Sequence, residues 1–84
     1  EFKIGSVVKS KAGRDAGKFL TVVGFSETYI LVCDGKERPL ERPKLKNPRH
    51  LLLLSVQLPA QKMATNRELR KALKVLSENE IQGG

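Results

Sequence analysis

Up to Pro59 the apolar residues fall in short runs separated by turn formers, and beyond it they recur at helical spacing. Residues 4–11, 19–25, 28–34 and 51–58 have the length and β-branched content of strands, and a shorter extended piece surrounds Leu40. Gly13, Gly17 and Ser26-Glu27 punctuate these runs, while Asp34-Gly35 predicts a two-residue hairpin turn, since both residues tolerate positive φ. Pro39, Pro43 and Pro48 cannot donate to a central ladder, so residues 39–48 are expected at a sheet edge or in an exposed connecting arm. Thr65-Asn66-Arg67-Glu68 has the form of a capping box, and Leu69, Ala72, Leu73 and Leu76 share one face, which predicts a helix over 66–78.

The pattern predicts one mainly β domain over 1–84: a small five-stranded SH3-like barrel in 1–58, then a linker and one C-terminal α-helix in 59–84. Five strands are too few for a sandwich, which takes about seven, although the count alone is shared with OB-type barrels. The 84 residues hold 16 Lys and Arg against 9 Asp and Glu, a formal net charge of +7 that favours a polyanionic partner. Cys33 is the lone cysteine, which excludes an internal disulfide and fits a reducing cytoplasm. The strongest apolar run, residues 51–54, is far shorter than the roughly 20 residues of a membrane helix. The N-terminus lacks the charged-then-apolar profile of a signal peptide, and Glu1 and Phe2 are given no functional weight. A soluble, cytoplasmic protein is expected.

Enzymatic chemistry finds no footing in the residues. The stretch from Gly13 to Phe19 superficially resembles a nucleotide-binding P-loop, but three residues separate its glycines where four are required, and Phe19 stands where a Ser or Thr would hold magnesium. Cys33 and His50 are too few for a structural zinc site, and no nucleophile–base set has a workable spacing. Asp15, Asp34, Glu37 and Glu41 lie among basic residues or in turns, where solvated carboxylates are the ordinary expectation. Neither a catalytic residue, a metal site nor a cofactor is expected.

Two basic segments carry the functional reading. The first joins two strands: Lys9 and Lys11 share one strand face while Val8 points to the other, and Arg14 and Lys18 add charge in the loop. Gly13 and Gly17 either let the backbone approach phosphate oxygens and donate to them, or simply turn the chain. The second segment, residues 42–50, holds Arg42, Lys44, Lys46 and Arg49 with no acid. Pro43 and Pro48 bias the residues before them to extended backbone, so Arg42, Lys44 and Lys46 are expected to project from one side about 6.6 Å apart. That spacing suits a phosphate backbone, and the alternative is a solvated arm. His50 is a candidate phosphate donor or base-stacking residue, with a structural hydrogen-bonding role as the alternative. With four aromatics and no tryptophan, mostly needed for a core, recognition by shape and phosphate contacts is favoured over base reading.

The strand–loop–strand stretch from Val7 to Val22, with Gly17 at the central glycine, resembles a KOW motif, and the likeness continues over residues 4–58. The chain is similar to KOW-domain RNA-binding proteins related to the archaeal and eukaryotic large-subunit ribosomal protein of the fourteen-e type. The resemblance implies an SH3-like barrel that binds ribosomal RNA. Those relatives usually carry longer basic extensions, so it implies either a ribosomal subunit or a free-standing, bacterial-type ribosome-associated protein.

The leading expectation is a monomeric, ribosome-associated module that docks on ribosomal or other structured RNA, with ribosomal proteins as possible neighbours. Its sites are Lys9, Lys11, Gly13, Arg14, Gly17, Lys18, Arg42, Lys44, Lys46, Arg49 and His50. The alternative is a protein-interaction module of the transcription or translation machinery, because four consecutive leucines cannot all point inward from an alternating strand. A third reading, binding to an anionic membrane, rests on the basic helix bearing Arg67, Arg70, Lys71 and Lys74. Its narrow apolar face is more simply used to cover the barrel, with the cations forming a solvated face.

Overall fold

The computed structural model describes the backbone of residues 1–83 and the side chains of residues 1–79. Five strands, β1 (Ser6–Ser10), β2 (Phe19–Ser26), β3 (Tyr29–Cys33), β4 (Lys44–Lys46) and β5 (Leu51–Gln57), form one antiparallel sheet in the order β4-β3-β2-β1-β5, followed by α1 (Asn66–Gly83). The two edge strands are adjacent in sequence. Four flat inter-strand spacings would separate them by about 19 Å. The five steps from Lys46 to Leu51 reach about 18 Å at full stretch, and the 3-10 turn Pro48–His50 shortens them further. The sheet therefore curls toward closure.

Curling gives the sheet two apolar faces instead of one. Inside, Val8, Leu20, Val22, Ile30, Val32 and Leu51 form one cluster, with Leu53 and Phe2 packed against it. Outside, Val7 and Cys33 pack with Leu69 and Leu73 of α1, joined by Leu54, Val56 and Leu58. This accounts for the adjacent buried pair Val7 and Val8, both fully inaccessible, and for the leucine run: Leu51 and Leu53 point in, Leu54 points out beneath the helix, and Leu52 is left exposed. Phe2 belongs to the inner core despite being given no weight from sequence.

Two expectations need correction. Asp34-Gly35 does not make a two-residue hairpin. Asp34 Oδ1 accepts from the N–H groups of Lys36 and Arg38, both at 2.8 Å, and opens a long connection to β4. The two-residue hairpin is instead Glu27-Thr28 between β2 and β3, where Glu27 takes φ +55°. The fourth strand is Lys44–Lys46, and Leu40 lies in a turn of the connection, its N–H donating to Asn66 Oδ1 at 2.8 Å. The helix begins as its capping residues predict, with Thr65 Oγ1 accepting from the Glu68 N–H at 3.1 Å.

Helix and connection are fastened at Asn66 and Gly35. The Asn66 amide also donates to Glu41, which holds that carboxyl below the usual range. Gly35 has φ +80°, and a Cβ there would sit 2.4 Å from the Asn66 carbonyl oxygen. Beneath this contact the Cys33 thiol donates to the Pro39 carbonyl at 3.3 Å, and burial pushes its pKa up to about 11. Gly35→Ala is expected to destabilise the fold by about 3 kcal/mol through backbone strain and the displaced helix. Urea unfolding measures this, and iodoacetamide at pH 8 should label Cys33 slowly in the parent and faster in the variant.

Candidate functional site

The loop between β1 and β2 and the segment from β4 to β5 meet at one mouth of the curled sheet. Two hydrogen bonds join them: the Lys11 N–H donates to the His50 carbonyl at 2.8 Å, and Lys46 Nζ donates to the Ala12 carbonyl at 3.3 Å. The loop is internally tied as well, with Gly17 N–H to Ser10 O at 2.8 Å, Ala16 N–H to Gly13 O at 3.1 Å and Lys18 N–H to Asp15 O at 2.8 Å. Gly13 and Gly17 have φ +79° and +86°. The Gly17 N–H is consumed within the loop, so this glycine turns the chain and is no phosphate donor.

Asp15 organises the mouth. Its side chain is only 4% exposed, and Oδ2 lies 3.6 Å from Lys46 Nζ and 3.5 Å from Arg38 Nη2. Those separations are ion-pair distances beyond hydrogen-bond geometry. Sequence reasoning missed this role, placing Asp15 among solvated carboxylates, and it missed Arg38 altogether. The available signal was an acid between two turn-forming glycines in an otherwise basic loop, opposite a proline-bounded arm with no acid of its own.

The arm does not present Arg42, Lys44 and Lys46 together on an exposed face. Lys46 pairs with Ile30 and Lys44 with Val32, both inner-core residues, so strand alternation turns the two lysines toward the inner face of the curled sheet and leaves Leu45 outside. Lys46 is buried at the Asp15 cluster, Lys44 is half-buried, and only Arg42 is exposed. The extended backbone expected before Pro48 is present: Asn47 has φ −72° and ψ 128°, and its side chain accepts from the Arg49 N–H at 2.9 Å. That cap holds Arg49 and His50 in an exposed turn.

The remaining predicted residues divide by partner. Lys9 is half-buried with Nζ 5.7 Å from the centre of the Phe19 ring, on the outer face that also carries Val7. Lys18 is exposed and paired with Glu37. Their hydrogen bond raises the lysine pKa and lowers that of the carboxyl, so both remain charged at neutral pH. Among the described residues no carboxylate pairs with Lys11, Arg14, Arg42, Lys44 or Arg49. The mouth therefore offers Lys11, Arg14 and Arg49 as exposed cations on backbone fixed by hydrogen bonds, with the exposed His50 imidazole beside them.

Among the described residues, no group of three or more His, Cys, Asp or Glu is placed to hold a metal ion, and no helix is long and apolar enough to cross a membrane. The chain matches no protein-family model, and a search of curated proteins finds no significant match.

Removing Lys46 leaves a buried carboxylate with a single remaining cation, whereas removing an exposed loop cation leaves no buried charge. Lys46→Ala is expected to cost about 3 kcal/mol of stability. Lys11→Ala should leave the urea midpoint close to the parent's. Equal midpoints for the two variants would remove Asp15 from its organising role.

Proposed function

We propose that the chain is a small RNA-binding module of the SH3-like, KOW type that docks on structured ribosomal RNA through phosphate contacts, and that it performs no catalysis. The observation that carries this reading is the convergence of two sequence-distant basic segments at one barrel mouth, where Lys11 and His50 share a backbone hydrogen bond. Cations fixed in this way lose little conformational freedom on meeting a phosphate row, which favours binding. The net charge of +7 supplies the long-range attraction.

The strand order supports the SH3-like assignment: β5 returns to pair with β1, and a four-residue connection joins β4 to β5. Gly17, in its positive-φ position, fits the glycine of a KOW loop. Phe25 and Tyr29, which flank the Glu27-Thr28 hairpin, are the exposed aromatics among the described residues. Two exposed aromatics on one hairpin are few beside the exposed cations, which favours phosphate contacts and reading of RNA shape over base stacking. The leucine run, which motivated a protein-docking alternative, is largely taken up by the two cores and leaves Leu52 alone well exposed. On this reading the protein works in the cytoplasm on the ribosome or its assembly intermediates.

Binding to a fluorescent helical fragment of ribosomal RNA, followed across salt concentration, tests the proposal. Arg14→Ala and Arg49→Ala each take away one phosphate-binding cation, and each should reduce the log–log salt slope by about 0.7–0.9. Lys62→Ala, on the linker before α1, should leave the slope unaltered. A parent slope near zero, or equal slopes in all four proteins, would defeat the reading.

A further inference from the structure

Beside the mouth, two surface clefts share a wall. One, of about 380 Å³, is lined by Arg14, Asp15, Lys18, Glu37 and Arg38. The other, of about 360 Å³, runs between the β1–β2 loop and α1, where Lys36, Arg70 and Lys74 contribute the cations. Lys18 and Glu37 line both, so their ion pair is the partition between them. Six basic side chains surround the combined space. Asp34 is already engaged by two backbone N–H groups and Asp15 by Lys46 and Arg38. Among the described residues, Glu37 is the one carboxylate of the clefts that stands exposed on the partition. Arg38 Nε is buried with no acceptor among the described residues, a donor that the present arrangement leaves unmet.

We propose that the joined clefts are a second phosphodiester-binding seat, running from the barrel mouth to α1, in which the Glu37 carboxylate occupies the place of a phosphate and yields Lys18 when one arrives. The proposal rests on the RNA-binding reading and extends its contact surface to Lys18, Arg38, Arg70 and Lys74. An arriving phosphate exchanges one anion for another at Lys18, so Lys18 is paired in both states. Glu37 swings to solvent, which its exposed position permits. The carboxylate thus sets a threshold: isolated anions meet an occupied seat, while an RNA already held at Lys11, Arg14 and Arg49 delivers its next phosphates at high local concentration. The basic face of α1 thereby acquires a binding role in place of simple solvation.

Glu37→Gln removes the competing charge and keeps the side-chain size. Glu27→Gln makes the same change in net charge at the far end of β2. Against the same RNA fragment, Glu37→Gln is expected to bind about three- to tenfold tighter than the parent, and Glu27→Gln within about twofold, because exposed charges beyond a Debye length are screened. In parallel, sodium tripolyphosphate titrated into the protein without RNA should shift the backbone amide resonances of Gly17, Lys18, Arg38 and Arg70, at lower concentration in Glu37→Gln. Equal tightening by both variants, or tripolyphosphate shifts confined to other residues, would overturn the proposal. A parent that binds RNA with no distinction between the variants sinks this seat and spares the wider reading. Saturable tripolyphosphate shifts in a parent that ignores RNA do the reverse.

Discussion

Asp15 sits beneath the β1–β2 loop, and two cations reach it from segments that lie 23 and 31 residues further along the chain, Arg38 from the long β3–β4 connection and Lys46 from the edge strand β4. The same Lys46 ammonium donates to the Ala12 carbonyl, so a single side chain fastens the edge of the sheet to its first loop. Burying a carboxylate costs free energy unless opposite charge comes with it. The fold meets this by bringing in two cations, and the consequence is geometric: the loop and the arm cannot separate without stranding a charge. The surface cations Lys11, Arg14 and Arg49 take their relative positions from that constraint. Lys46, expected from sequence to grip a ligand, is instead buried against Asp15 and Ala12, beneath the exposed cations of the loop and arm.

The second constraint is the use of both faces of a five-stranded sheet. A chain of this size buries too little on one face to be secure, and the curled sheet with α1 across its outside provides two apolar layers from the same strands. β1 lies between those layers, which is why Ser6, Val7, Val8 and Ser10 are all buried. Fixing α1 through Gly35, Asn66 and Thr65 has a further effect, since it places Arg70 and Lys74 along the cleft that adjoins the loop.

Much of this was legible in the sequence. Four of the five strands, the start of the helix at its capping threonine and the edge position of the proline-bounded arm all follow from period, propensity and missing donors, whereas the remaining strand lies at Lys44–Lys46 and not around Leu40. What escaped has identifiable causes. The Asp34-Gly35 pair is a good turn signal, but the Asp34 side chain caps backbone N–H groups at 36 and 38 and commits the chain to a longer loop. Alternation along β4 does place Lys44 and Lys46 on one face, yet a three-residue strand with a single leucine does not say which face is inward. The ionic partner of Lys46 lies 31 residues earlier, a separation that local reasoning cannot bridge. Asp15 and Glu37 are both acids among bases, and only three dimensions distinguish the buried organiser from the exposed partner of Lys18.

Side-chain footprinting of the protein bound to a structured ribosomal RNA fragment tests most directly whether the loop and the arm act as one surface. Acetylation of lysine and phenylglyoxal modification of arginine, read by mass spectrometry, should show Lys11 and Arg49 losing reactivity in step over one range of RNA concentration, while Lys62 stays reactive throughout. Protection of Lys62 with Lys11 and Arg49 unaffected, or protection of those two over separate concentration ranges, would contradict a common docking surface.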